Sequence, residues 1–251
     1  MLWYKAWRES RTRFAITACT LIGFCLFAVL FQPQSGGNPG LVIPVLRSGV
    51  FSERIYDLIY GTAKGVFAIL TIFLGLGGLL REQRNRTAIF TLSLPVSRFQ
   101  LVGTQLAVGF SEMAVLSLLP ALLVPSLARL VHQSYPVAEA LHFSMLWFAC
   151  GSIIYAAAFL MSVALSGEYT AAVVCYLALV LQALVMSATA LGRSYRLNLM
   201  WTMGEFGRMH WDSPHQQLLH DPLPWARLLI LMLIALCMLA VSSRIAAKQD
   251  L

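Results

Sequence analysis

Long apolar runs alternate with short polar segments along the chain. About 20 apolar residues in helical form cross the hydrocarbon of a bilayer, and a backbone there must satisfy its own hydrogen bonds. The pattern therefore predicts an all-α integral membrane protein with six transmembrane helices, in a single domain over residues 1–251. The predicted spans cover residues 14–31, 57–80, 99–127, 141–165, 171–191 and 225–241.

The polar segments between the runs differ in character. In the first 13 residues, Leu2, Trp3, Ala6 and Trp7 can share one helical face, which predicts an amphipathic helix in the membrane interface. A plain basic anchor for the first span is the alternative. No small-residue cleavage site follows that span, so we expect it to remain in the protein. Pro120 and Pro125 are expected to interrupt the third span near its far end, and residues 192–224 to form a long loop.

Composition supports a membrane location and sets an orientation. Of the 251 residues, 59% are hydrophobic and only 12% are charged, whereas soluble domains carry about 25% charged residues. The net charge of +7 points to lipid headgroups rather than nucleic acid, because the basic residues flank apolar runs. The rule that cytoplasmic loops are rich in Lys and Arg predicts that both termini and residues 75–105 are cytoplasmic and that residues 192–224 lie outside. We expect the protein to be a multi-pass protein of a cell membrane, inner or plasma.

Motifs for covalent chemistry are absent from the sequence. A phosphate-binding loop needs Gly-Lys followed by Ser or Thr, and none of the three lysines (Lys5, Lys64 and Lys248) fits. HExxH and GxSxG do not occur, and the five cysteines lie inside apolar runs without a CxxC pair. We therefore expect no catalytic residue, no cofactor site and no nucleotide hydrolysis on this chain.

The stretch from Gly75 to Gln105 separates the second and third runs. Within it, REQRNRTAIFTLSLPVSRFQLVGTQLA resembles the cytoplasmic connection between spans two and three of type-2 ATP-binding-cassette (ABC) exporter permeases. The resemblance departs from the usual pattern at Arg86, where Gly is common, and at Gly103-Thr104-Gln105. The matching residues are an acidic residue, a Thr, two leucines and a Pro-hydrophobic-Ser-Arg motif: Glu82, Thr87, Leu92, Leu94, Pro95, Val96, Ser97 and Arg98.

This resemblance implies a cytoplasmic coupling helix that a separate ATPase subunit grips. Two such subunits would carry ATP and Mg²⁺, a second permease chain would complete the pathway, and the work would be export of an unidentified substrate. Charge pattern alone allows another interpretation, in which a short interfacial helix only meets lipid headgroups. The resemblance assigns ATPase coupling to Glu82, Arg84, Thr87, Pro95, Ser97 and Arg98.

Two charges fall inside the predicted spans, Lys64 and Glu112. A charge within a membrane is costly and is normally paired or functional. Both lie about 20–24 Å from the cytoplasmic ends of their helices, at 1.5 Å per residue. We expect them to pair and fix the packing of spans two and three, or to line a translocation path. Lys64 could instead extend its amine to the outer interface.

The outer loop offers residues of the types that bind metals, although their spacing is unsuitable. His210, His215 and His220 are weak candidates, because steps of five residues turn a helix by about 140° and separate the side chains. A solvated loop is the expected alternative. Two other functional classes remain open on the sequence: a membrane-embedded enzyme that uses this His/Asp cluster, and a passive anchor or assembly factor.

Overall fold

The structure is a computed structural model that describes residues 2–30, 51, 55–76, 98–165, 168–188, 198–204, 209–212, 217–220 and 223–248. Within these residues, six helices are long and apolar enough to cross a membrane. This confirms the predicted all-α, multi-pass membrane architecture.

The helices begin and end close to the predicted spans, but most are longer. A π-helix, Tyr56–Ala63, forms the first part of the second span, Tyr56–Gly75. Two short antiparallel strands form the only sheet among the described residues. The elements are α1 Leu2–Leu30, α2 Lys64–Gly75, α3 Arg98–Leu130, α4 Val137–Ala164, α5 Glu168–Ala188, α6 Leu199–Gly204, β1 Met209–Asp212, β2 Gln217–His220 and α7 Trp225–Lys248.

Residues 2–13, predicted to be either an interfacial helix or a basic anchor, are the first part of α1. Helix α1 runs without a break from Leu2 to Leu30, since no proline interrupts it and Lys5 supports the first turns by an ion pair with Glu9 (3.8 Å). Trp3 is 53% exposed, as expected for an aromatic side chain at headgroup depth. Residues 2–13 and the first span therefore form one continuous helix.

Helix α3 continues through Pro120 and Pro125, where the sequence predicted an interruption. Two missing N–H donors are few in a helix of 33 residues, which is about 50 Å long. The helix ends in a Schellman motif, in which the Gln133 N–H donates to the Ala128 carbonyl (3.0 Å) and His132 adopts a φ of 56°. This tight ending starts a short turn into α4.

Helix α4 is the centre of the bundle. In its apolar window 72% of the residues are buried, compared with 17% in α5 and 22% in α7. Helix α2 approaches it closely: a Cβ on Gly75 would lie 2.9 Å from the Tyr155 carbonyl oxygen. Only a glycine fits there, because a small residue lets two helices approach closely. Helices α5 and α7, which are less buried, lie at the outside of the bundle.

Contacts along α4 fix the helix directions. Tyr60 meets Phe143 and Gly75 meets Tyr155, so α2 runs parallel to α4. Tyr155 contacts Leu106, whereas Gly151 contacts Met113, so α3 runs antiparallel to α4. We call the end of the bundle that contains Leu2, Gly75 and Arg98 the proximal end. The opposite end, which contains Leu30, Tyr56 and Val137, is the distal end.

Candidate functional site

The predicted coupling element joins two helices at the proximal end. Five of its assigned residues lie outside the described residues: Glu82, Arg84, Thr87, Pro95 and Ser97. The sixth, Arg98, is the first residue of α3. The segment between Leu76 and Arg98 is thus attached to α2 on one side and to the longest helix on the other, at the end where α1 begins.

Glu112 is the buried acidic group of the central region. It is 2% exposed, and its Oε1 accepts a hydrogen bond from the Ser10 hydroxyl of α1. Arg13, one turn further along α1, is close enough for its positive charge to act on this carboxylate. A buried carboxylate needs such donors and charges, so α1 supplies the environment that keeps Glu112 inside the bundle.

Tyr155 fastens α4 to α3 near the same level. Its hydroxyl donates a hydrogen bond to the Leu106 carbonyl (3.1 Å), and its ring meets Phe110 with centroids 6.1 Å apart. The ring also lies against Gly109, where a Cβ would approach Tyr155 Cε2 to 3.1 Å. Helix α3 is therefore held by α1 on one side and by α4 on another, within two turns of Glu112.

Lys64 lies in a different environment from Glu112. It is the first residue of α2, and its Nζ lies against Gly204 of α6, where a side chain would collide with it. Lys64 thus lies beside α6, and Glu112 lies beside α1; the pairing of the two charges stays a prediction. Sequence reasoning considered only spans two and three, and could not anticipate that α1 packs on α3 or that α6 covers Lys64.

Aromatic side chains fill the distal half between the π-helix, α2 and α4. Tyr60 stacks on Phe143 with centroids 3.7 Å apart, and Phe67 meets Trp147 at 4.7 Å. The indole N–H of Trp147 donates to the Met203 carbonyl (3.2 Å). This bond ties the short helix α6 to the central helix, so α6 is an anchored part of the bundle.

A second buried carboxylate, Glu139, lies at the distal end. It is 3% exposed, and its Oε2 lies 3.9 Å from His142 Nδ1. Tyr135 and Tyr60 are neighbours of this group. Burial raises the pKa of Tyr135, in the turn before α4, well above its ordinary value of 10.0, and the nearby Tyr60 and Glu139 raise it further.

Sequence reasoning overlooked Glu139 because it placed the fourth span from residue 141, and so assigned this residue to a loop. The signal was available in principle. Pro136 can precede the first turn of a helix, and α4 does begin at Val137. An acidic residue in a first turn also interacts favourably with the helix dipole.

The histidine candidates for a metal site are not brought together by their register. His210 stands opposite Leu219 in the hairpin, and His220 stands opposite Met209; His215 lies outside the described residues. No group of three or more metal-ligating side chains occurs among the residues that the structure describes.

The described part of the chain thus holds two buried carboxylates, one on α3 and one on α4, each bordered by polar groups from other helices. The contact of Glu112 with Ser10 joins α3 to α1, whereas His142, which lies beside Glu139, belongs to α4 itself. Comparison with known protein families, with characterised proteins and with solved structures found no match to this chain.

Proposed function

We propose that this chain is the membrane-spanning permease subunit of an ABC exporter. In this proposal a separate ATPase subunit binds the segment around Glu82–Arg98, and closure of the ATPase moves the spans. The observation that carries the proposal is the motif of residues 82–98, together with its direct attachment to the first residue of α3. Cofactors are ATP and Mg²⁺ on the partner, not on this chain.

The mechanical continuity of α3 supports this function. Arg98 is the first residue of a continuous helix about 50 Å long, so a displacement at Arg98 would move the whole helix. Along that helix, Glu112 is hydrogen-bonded to α1 and the Leu106 carbonyl is hydrogen-bonded to α4. Movement of the proximal end would therefore be passed to three helices at once, because packed elements shift as bodies rather than deform continuously.

The exposed apolar faces of α5 and α7 are compatible with a second permease chain and with lipid. Leu177, Leu181 and Leu184 on α5 are all more than half exposed. Six spans would form half of a pathway, so the proposal includes an identical or similar partner chain. The proximal end would face the cytoplasm of a cell or inner membrane, with both chain termini on that side.

Co-purification tests the proposal directly. The full-length chain is affinity-purified in mild detergent from its own cells, and the amount of ATPase subunit that co-purifies with it is measured. Combined charge reversal, Glu82→Lys with Arg84→Glu, should abolish most of the recovery. The control is Arg227→Glu, which reverses an exposed charge in the first turn of α7, where an acidic residue interacts favourably with the helix dipole.

Two results would overturn the coupling role. One is recovery of the ATPase that is equal for wild type, the double reversal and the control. The other is an ATPase activity that does not change when the purified ATPase is reconstituted with this chain. Glycerol-gradient analysis of each variant would establish that the reversed chain is still folded.

A further inference from the structure

An apolar groove lies between α2 and α5. Its volume is about 220 Å³. Residues of α2 form one wall and residues of α5 form the other, and Met200 of α6 contributes to the lining. The wall residues used below are Gly65, Ile69, Ile72, Leu179 and Ala183.

Water molecules do not fill this groove stably. Its walls present almost no polar surface, and apolar cavities stay dry because a water molecule needs two or more polar partners. An empty groove would also forfeit dispersion contacts along both walls. A cavity of about 150 Å³ accommodates benzene, so this groove has room for a longer hydrocarbon segment.

The groove lies between two helices that can cross the membrane, so lipid acyl chains can reach it. Both walls belong to helices that can cross the membrane, and Ile69 is 39% and Leu184 61% exposed on the outer surface. Gly65 opens the wall further, since no described atom lies within 4 Å of where its Cβ would be. At this depth the surrounding medium is hydrocarbon.

We infer that this groove is a binding site for one acyl chain of a membrane phospholipid, held between α2 and α5. The chain replaces the missing contacts along the apolar walls. Ile72 and Leu179 are only 3% and 9% exposed, yet both line the groove. A bound chain therefore touches residues that lipids around the perimeter of the bundle do not reach. The site does not depend on the proposed transport function.

Photolabelling distinguishes a bound chain from perimeter lipid. The full chain is placed in nanodiscs of phosphatidylcholine that carries a diazirine in the acyl chain, irradiated, and mapped by mass spectrometry. We expect labelling at Ile72 and Leu179 despite their burial. Gly65→Leu, which fills the groove, should reduce this labelling several-fold. Gly23→Leu is the matched control, because Gly23 also faces open space but lies on α1.

Ala183→Leu fills the groove from the opposite wall and serves as a second variant if Gly65→Leu does not fold. Labelling that follows exposure alone, strong at Leu233 (62% exposed) and absent at Ile72 and Leu179, would overturn the inference. So would disulfide-linked dimers of Ile69→Cys that exclude the label, since a second copy of the chain would then occupy the groove.

Discussion

The hydroxyl of Ser10 donates a hydrogen bond to the carboxylate of Glu112 across 102 positions of sequence. This contact joins the first turns of the chain to the middle of its longest helix. Helices α1 and α3 are not neighbours in sequence order of spans, and their pairing places a polar residue of a basic segment beside a buried acid.

Removal of the Ser10 hydroxyl tests this contact. Ser10→Ala should destabilise the protein by about 1.5–3 kcal/mol, the range for a hydrogen bond to a charged group. The same substitution in a Glu112→Gln background should lower the free energy of unfolding by less, because a buried neutral amide loses less than a buried carboxylate when a hydrogen-bond donor is removed. Thermal unfolding in detergent measures both. Equal costs in the two backgrounds would mean that the hydroxyl and the carboxylate do not interact.

Two glycines of the same helix should respond oppositely to alanine. Gly75→Ala places a Cβ 2.9 Å from the Tyr155 carbonyl oxygen and 3.3 Å from the Phe159 nitrogen. Backbone atoms cannot move aside cheaply, so we expect a loss of about 1–3 kcal/mol. Gly65→Ala meets open space among the described residues and should be neutral or stabilising by up to about 1 kcal/mol, through helix propensity.

The comparison of these two variants is internally controlled, because both change a glycine of α2 to the same residue. Denaturation midpoints in one detergent would measure the difference. A Gly75→Ala protein as stable as the wild type would show that α2 and α4 are not in close contact at this point.

The bond from Trp147 to Met203 should hold α6 in place. Trp147→Phe removes the indole donor while keeping an aromatic ring against Phe67. We expect faster hydrogen exchange of the α6 amides and a destabilisation of about 1–3 kcal/mol, since a buried carbonyl loses its partner. Exchange in the first turns of α1, at the proximal end of the bundle, serves as the reference. Unchanged exchange in α6 would show that the hydrogen bond from Trp147 to Met203 does not hold this helix in place.

The burial of Tyr135 makes stability depend on alkaline pH. Its pKa is raised in the folded protein above the ordinary value of 10.0, so the unfolded chain loses this proton first. The contribution of Tyr135 to stability is full below pH 10 and is lost as the pH rises through the folded pKa. Tyr135→Phe should flatten this decline, as measured by unfolding between pH 8 and pH 11. Tyr4→Phe, at an exposed tyrosine of α1, should leave it unchanged.

The positions of the spans could be predicted from the sequence, because they follow from local hydrophobicity. Each apolar run had to become a helix in the membrane, and the predicted runs agree with the helices to within a few residues at many ends. The errors occur where polar residues continue a helix. Residues 2–13 were separated from the first span, and residues 137–140 were assigned to a loop, although both continue as helix.

The partners of buried groups were decided only by the tertiary structure. Glu112 could be recognised as an intramembrane charge, but a sequence does not state which helix faces it, and the structure shows that Ser10 of α1 donates a hydrogen bond to it. The π-helix before Lys64 and the approach of α6 to it were equally invisible. Hydrophobicity is a property of single residues, so it determines which segments enter the membrane. Packing depends on the shapes of several helices at once, so only the folded bundle determines what each buried charge touches.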